Sequence, residues 1–174
     1  DGQPGTLSLT GNHADNVRYT YSDASGLWTS SYDLYWKDGN TSVDAYSYYP
    51  FSSTVSSVEA YPVSVRAKQQ ETADGDVLSG YEASDFLWAK AENVAPGTII
   101  SLKHQHILAG VEVTLTAGEG FTADEWEALQ KTVLIENTRV NALVNLSTGV
   151  VKLADDVTQT IVPQQHGSQW RAIL

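Results

Sequence analysis

Two histidines separated by one residue are the side chains best spaced for metal chemistry in this sequence. His104 and His106 flank Gln105, and residues two apart on a β-strand point to the same face of the sheet. Imidazoles on one face are common zinc ligands. A third ligand would have to come from His13, His166 or a carboxylate, and no motif fixes one. We therefore interpret both histidines as surface or sheet-packing residues, and we predict no metal site and no cofactor.

Carboxylates are abundant, and three groups of them invite comparison with a glycosidase pair or a calcium loop. A glycosidase needs two carboxylates at a defined separation with one raised pKa, which sequence alone does not establish. A calcium loop needs more spaced oxygen ligands than Asp74-Gly75-Asp76 supplies. We interpret these groups as solvated acidic turns. They are Asp74 with Asp76, Asp124 with Glu125 and Glu127, and Asp155 with Asp156.

Motifs for nucleophilic or phosphate chemistry do not occur in the sequence. No serine lies in a Gly-x-Ser-x-Gly motif, and there is no glycine-rich nucleotide-binding motif. The chain contains no cysteine, which excludes a thiolate nucleophile and a disulfide framework. We therefore predict that the protein is not an enzyme and that it has no catalytic residues.

Composition and charge limit the class of protein and its partners. A length of 174 residues with 41% hydrophobic content suffices for one domain with a full core. The formal net charge of −11 repels nucleic-acid phosphates, so we predict no nucleic-acid partner. We assign residues 1–174 to a single domain, in which residues 155–174 either complete that domain or begin a further segment or second domain.

Alternation of apolar and polar residues predicts strands along most of the chain. Turn residues such as those at 38–40 and 95–97 separate these strands, and residues 34–39 are a hairpin candidate. We therefore predict a mainly β fold, an antiparallel β-sandwich. The predicted strands lie at residues 7–10, 17–21, 43–49, 61–65, 99–102, 111–115 and 142–146.

One short helix is predicted near residues 122–131. Thr122 and Glu125 have the spacing of a capping box, in which each side chain accepts a hydrogen bond from the other residue's backbone N–H. Trp126 and Leu129 follow at helical spacing. Phe121 precedes the cap at the position from which a hydrophobic staple packs against the first turn.

Several short phrases follow one another in a fixed order. The most distinctive is VDAYSYYPF at residues 43–51, an alternating aromatic strand that stops at Pro50. The others lie at residues 7–11, 17–19, 34–36, 85–91, 102–113, 146–151 and 161–164. As a set they resemble the fimbrillin-like family of Bacteroidia, which supplies shaft, anchor and tip subunits of cell-surface fimbriae. The resemblance covers nearly the whole chain.

This resemblance implies a transthyretin-like β-sandwich, export as a lipoprotein precursor, and a location in fimbriae at the outer membrane and cell surface. The implied partners are other fimbrial subunits, with host or bacterial surface ligands as further partners. The lipidation cysteine of such precursors is missing, and the chain begins at Asp1 rather than at a methionine. We therefore expect that a leader was removed.

The resemblance also implies proteolytic removal of a first strand, followed by polymerisation through β-strand exchange. A sandwich that lacks a strand exposes unpaired backbone groups beside an apolar groove, which a segment of another subunit can fill. Burying five apolar residues there contributes about 7–15 kcal/mol before ordering costs. The candidate processing site is Arg18, whose alternative role is to cover a sheet face with its stem. The candidate exchanged strand is Leu7, Ser8, Leu9 and Thr10.

Clustered aromatic residues support an alternative function, a carbohydrate-binding β-sandwich module of a surface protein. Seven tryptophans and tyrosines lie between residues 28 and 49, and exposed aromatic rings can stack against sugar rings. Alternation in residues 45–49 assigns at least half of that strand to packing. The candidate sugar-stacking residues are Trp28, Tyr35 and Trp36. We nevertheless predict a structural or adhesive fimbrial subunit.

Overall fold

The computed structural model describes residues 6–75 and 77–174. Within that part of the chain, strands dominate, with one short α-helix and one turn of 3₁₀ helix. The strands are β1 (Tyr19–Ser22), β2 (Leu27–Ser30), β3 (Val43–Tyr49), β4 (Tyr61–Ser64), β5 (Leu87–Val94), β6 (Gln105–His106), β7 (Gly110–Thr114), β8 (Ile135–Arg139), β9 (Asn141–Val144), β10 (Val151–Leu153), β11 (Thr158–Ile161), β12 (Gln164–His166) and β13 (Gln169–Ile173). The α-helix is α1 (Ala123–Ala128), and the 3₁₀ helix is Glu82–Ser84.

These strands form five sheets. Their orders are β1-β2, β10-β9-β4, β11-β8, β12-β13-β7 and β3-β5-β6. The pairs β1–β2, β3–β5, β5–β6, β8–β11, β12–β13 and β7–β13 are all antiparallel. The predicted fold class, a mainly β antiparallel sandwich with one short helix, is confirmed.

The chain divides into two compact units. Unit 1 contains the described residues up to Pro62 together with Phe86–Ile107 and Leu143–Lys152, and unit 2 contains Val63–Asp85, Leu108–Ala142 and Leu153–Leu174. Residues 155–174 thus supply β11, β12 and β13 to unit 2. The assignment of the whole chain to a single domain stays a prediction.

The core of unit 1 is built on the β3–β5 ladder. Its aromatic centre joins Tyr48, Tyr61 and Phe86, whose ring centroids lie 5.5 to 5.9 Å apart. Cross-strand and aromatic contacts of this kind stabilise a sheet face. Trp88 faces Tyr48 across the ladder and donates a hydrogen bond from Nε1 to the carbonyl oxygen of Leu146 at 2.7 Å. That bond fixes the indole ring against the turn that follows β9.

The core of unit 2 lies under β13, the central strand of its sheet. Five buried residues form the apolar cluster, which consists of Val65, Val140, Ile161, Ala172 and Ile173. Because β13 pairs with β12 on one side and β7 on the other, its inward side chains are covered while most of its backbone groups enter the ladder.

Gln69 completes the hydrogen bonding of β13 where β12 no longer reaches it. The side chain of Gln69 is fully buried. Its Oε1 accepts a hydrogen bond from the backbone N–H of Ile173 at 2.8 Å, and its Nε2 donates to the Ile173 carbonyl oxygen at 2.7 Å. One amide side chain therefore replaces a missing strand partner, which satisfies two backbone groups that burial would otherwise leave unpaired.

Helix α1 begins as predicted and ends early. Glu125 donates from its backbone N–H to Thr122 Oγ1 at 3.3 Å, and Thr122 N–H donates to Glu125 Oε2 at 2.9 Å, so the capping box is formed. The Phe121 and Trp126 rings lie 5.9 Å apart, which confirms the staple. The helix nevertheless stops at Ala128, because Leu129 takes an extended conformation.

Three predicted elements are not present in the structure. Residues 7–10 and 99–102 are not strands, and residues 34–39 do not form a hairpin. In the first segment, Asn12 bonds both the N–H and the carbonyl of Ser8. In the third, Asp38 accepts hydrogen bonds from the N–H groups of Asn40 and Thr41. Such local side-chain bonds compete with strand pairing. In the second segment, residues 99–102, the apolar residue Ile99 is 92% exposed, so the apolar positions that predicted a strand are not buried there.

Replacing Gln69 tests the role of its amide. We expect Gln69→Leu to lower the free energy of unfolding by about 2–5 kcal/mol, because it leaves the Ile173 N–H and carbonyl unpaired. Gln69→Glu should cost more, since it also buries a charge and removes the donor. The measurement is chemical denaturation. Gln159→Leu, at an exposed position of β11, is the control and should stay within about 0.5 kcal/mol of the wild type. Equal values for Gln69→Leu and Gln159→Leu would contradict this role.

Two glycines of like conformation test the packing of Trp88. Gly149 has φ +71°, and a Cβ built on it would lie 2.7 Å from Trp88 Cε3, whereas Gly97 has φ +78° and nothing within 4 Å. Gly97→Ala should destabilise by about 1 kcal/mol through its backbone alone. Gly149→Ala should cost about 1–3 kcal/mol more because it overpacks the indole. Equal losses in thermal or denaturant unfolding would show that the ring moves aside freely.

Candidate functional site

Arg18 lies directly before β1 and is exposed. Its guanidinium carbon sits 5.7 Å from the centroid of the Phe51 ring, so its side chain does cover an aromatic neighbour. Its carbonyl oxygen accepts a hydrogen bond from the N–H of Ser31 at 2.9 Å. A protease that binds extended peptide would therefore have to open this end of the β1–β2 hairpin first. Cleavage at Arg18 stays a prediction.

The candidate exchanged segment is held by polar contacts rather than by a ladder. Leu7 and Ser8 are half-buried, and Leu9 and Thr10 are exposed. The residues that follow attach this region to unit 1. His13 Nε2 lies 2.5 Å from the carbonyl oxygen of Tyr35, Asn16 Nδ2 donates to the Ser52 carbonyl oxygen at 2.9 Å, and the Tyr48 hydroxyl donates to Asn16 Oδ1 at 2.7 Å. Exchange of residues 7–10 between subunits stays a prediction.

The outer edge of β7 presents unpaired backbone groups. Ala109 and Leu174 exchange two backbone hydrogen bonds of 3.1 and 2.8 Å, and the β7–β13 register continues without a shift from Gly110 opposite Ile173 to Thr114 opposite Gln169. In an antiparallel ladder, bonded and non-bonded pairs alternate. The backbone groups of Gly110, Glu112 and Thr114 therefore point away from β13. Within the described residues, no backbone partner meets them.

Side chains on β7 alternate in burial. Val111 and Val113 are half-buried, whereas Gly110, Glu112 and Thr114 are exposed. The strand thus combines an open hydrogen-bonding edge with one apolar face, which is the combination that accepts an added strand. Sequence alternation predicted this strand, but its position at the edge of a sheet follows only from the fold.

The structure places the three candidate sugar-stacking residues on two segments, Trp28 on β2 and the consecutive Tyr35 and Trp36 in the loop before β3. Trp28 lies on β2, is 56% exposed and contacts Tyr21 on β1, with ring centroids 5.4 Å apart. Tyr35 is 75% exposed in the loop before β3, and its hydroxyl donates to Asp33 Oδ2 at 3.3 Å. Trp36 is half-buried. Among the described residues, no ring contact joins any two of these three side chains.

Sequence reasoning missed the aromatic partners of Trp28. Tyr19 and Tyr21 are 46% and 48% exposed, and the register pairs Tyr21 with Trp28 and Tyr19 with Ser30. Residues opposite each other, and residues two apart, share a face. The signal was present, since two tyrosines at period two and then a glycine, Gly26, suited to a turn precede Trp28.

His104 lies directly before β6, and His106 is the last residue of that strand. His104 Nε2 lies 2.8 Å from Ser47 Oγ, and burial lowers the pKa of His104 below its ordinary value. His106 has an interaction of its own. Among residues 6–75 and 77–174, no group of three histidines or carboxylates could hold a metal ion. The interpretation of both histidines as surface or sheet-packing residues stays a prediction.

Three of these acidic residues, Glu125, Asp155 and Asp156, bind neighbouring protein atoms through their carboxylates. Backbone and side-chain hydrogen bonds from Thr122 lower the pKa of Glu125. Asp155 Oδ2 accepts from Asn141 Nδ2 at 2.9 Å, and Asp156 Oδ1 lies 2.9 Å from a guanidinium nitrogen of Arg139. Asp74 exchanges two backbone hydrogen bonds with Val77 across a tight turn. Asp76 lies outside the described residues.

In the described part of the chain, no helix has the length and apolarity needed to cross a bilayer.

Comparisons with known proteins give the family. A model of the fimbrillin-like family matches residues 3–174. No curated protein matches the chain. Among solved structures, a proposed cell adhesion protein from Bacteroides uniformis is similar, with a TM-score of 0.70 and 22% sequence identity. The match covers 95% of this chain and 64% of that one, and at this identity it shows the shared fold alone. Because the family model spans nearly every residue, the chain belongs to the fimbrillin-like family.

Proposed function

We propose that this chain is a non-catalytic structural subunit of a bacterial surface fimbria, which assembles with other fimbrial subunits by β-strand addition. The observation that carries the proposal is the family match over residues 3–174. The antiparallel fold is consistent with a structural role, as are the contacts of the Glu125, Asp155 and Asp156 carboxylates with neighbouring protein atoms. The proposed location is the cell surface, in a fimbria attached to the outer membrane.

The outer edge of β7 is the proposed acceptor for the added strand. Gly110, Glu112 and Thr114 direct their backbone groups outward, and Val111 and Val113 supply a half-buried apolar face. An extended segment of a neighbouring subunit would gain ladder hydrogen bonds and side-chain burial together. Charge favours a partner segment with few acidic residues, because the chain carries a net charge of −11.

Cleavage after Arg18 is the proposed step that precedes assembly. It would remove Leu7, Ser8, Leu9 and Thr10, whose alternating leucines suit pairing with a strand edge. This removal breaks the polar contacts of His13 and Asn16. It also breaks the contacts that Arg18 makes with Ser31 and Phe51. The aromatic centre of unit 1 contributes no residue to the removed segment, so the trimmed chain should stay folded.

Trimming and edge substitution together test this function. The chain trimmed after Arg18 should form polymers, measured by light scattering after size exclusion and by electron microscopy. Glu112→Pro should abolish polymers, because proline removes an outward N–H without touching the β7–β13 bonds.

The matched control is Gln165→Pro on β12. Gln165 lies opposite Trp170, at a position whose backbone groups point away from β13 by the same alternation. The Gln165→Pro variant should assemble as the wild type does. A trimmed chain that stays monomeric at every concentration would contradict the assembly proposal. Polymers formed equally well by Glu112→Pro would contradict the assignment of the edge.

A further inference from the structure

One face of the β1–β2 hairpin concentrates exposed aromatic rings. The register places Tyr19, Tyr21, Trp28 and Ser30 on one face and Thr20, Ser22, Leu27 and Thr29 on the other. We call the first set the aromatic face. Its three rings are each about half exposed, with values of 46%, 48% and 56%. A two-stranded hairpin with this much exposed aromatic surface presents it to a ligand or a partner.

Polar groups on the same rings indicate a ligand that carries hydroxyls. The hydroxyls of Tyr19 and Tyr21 and the Nε1 of Trp28 form no hydrogen bond with the described part of the chain. Each ring therefore combines an apolar surface with a free donor or acceptor at its rim. The Tyr21 and Trp28 planes meet at 53°, so the two rings form an angle rather than one flat plane.

Charge further limits the chemical class of the ligand. Of the twelve residues from 19 to 30, only Asp23 is charged, and the whole chain carries a net charge of −11. An anionic ligand would be repelled, and a strongly basic one would find few carboxylates on the hairpin. A sugar ring has one apolar C–H surface and several hydroxyls and carries no charge, which matches this face.

We propose that the aromatic face of the β1–β2 hairpin binds a neutral glycan, with Trp28 stacking on a sugar ring and the Tyr19 and Tyr21 hydroxyls bonding its hydroxyl groups. Of the three residues that the sequence nominated, only Trp28 belongs to this site. The proposed site includes Tyr19 and Tyr21 and does not include Tyr35 or Trp36. Binding would be a property of the single chain and does not require polymerisation.

Leu27 gives a matched control on the same hairpin. It is 62% exposed, slightly more than Trp28, but lies on the opposite face. A stacking site on the aromatic face requires Trp28 and is indifferent to Leu27. A general apolar contact, or a variant that unfolds the hairpin, would affect both positions alike.

The experiment is affinity electrophoresis of the untrimmed chain in gels containing mixed-linkage glucan, glucomannan or galactomannan, with an anionic alginate gel alongside. We expect retardation by at least one neutral polysaccharide and none by alginate. Trp28→Ala and Tyr21→Ala should each weaken binding by about tenfold or more. Trp28→Phe should retain it within about threefold, and Leu27→Ala should leave it unchanged.

Absence of retardation in all three neutral gels would overturn the proposal. An equal loss in Leu27→Ala and Trp28→Ala would also overturn it. A third result that would overturn it is altered self-association of the Trp28→Ala variant together with no polysaccharide binding by the wild type. The aromatic face would then be a contact between protein chains. Since the assay uses the untrimmed chain, a negative result leaves the assembly proposal intact, and failure to polymerise leaves glycan binding intact.

Discussion

The central strand of unit 2 depends on one buried amide. Gln69 binds both backbone groups of Ile173, at the point where β12 ends and the strand would otherwise carry unpaired groups into the core. A buried donor and acceptor left without partners would cost several kcal/mol. The bond therefore completes the ladder on one side of β13, while β7 completes it on the other.

This arrangement determines which backbone groups of β7 remain available to form hydrogen bonds with another molecule. Because Ile173 turns its N–H and carbonyl toward Gln69, the alternation of the antiparallel pair gives the opposite Gly110 no bond to β13. The same alternation turns the groups of Glu112 and Thr114 outward. The proposed interaction of this fimbrillin-like chain with its neighbours thus uses backbone hydrogen-bonding groups, whose spacing does not depend on the sequence. The proposed glycan contact instead uses particular side chains on the hairpin. The two surfaces belong to different units and can be tested independently.

Local patterns predicted the local structure well. The capping box could be found because Thr122 and Glu125 are three residues apart. The strand β3 was placed correctly because residues 43–49 are rich in valine and tyrosine and stop at Pro50. The errors have local causes as well. Asn12 and Asp38 bind nearby backbone groups, and such bonds outcompete a strand that alternation alone favours. Contacts between distant residues could not be predicted, since Gln69 and Ile173 are 104 positions apart and a buried glutamine has no distinguishing sequence pattern. The aromatic face was in part predictable, because Trp28 was identified while its partners required the hairpin register.

Hydrogen–deuterium exchange at the β7 amides tests the central claim most directly. In the monomer, the amides of Glu112 and Thr114 should exchange quickly, whereas those of Val111 and Val113, bonded to β13, should be protected. In the polymer, the amides of Glu112 and Thr114 should become protected as well, because an added strand would bind them. Protection of these two amides in the monomer, or fast exchange in the polymer, would contradict the account.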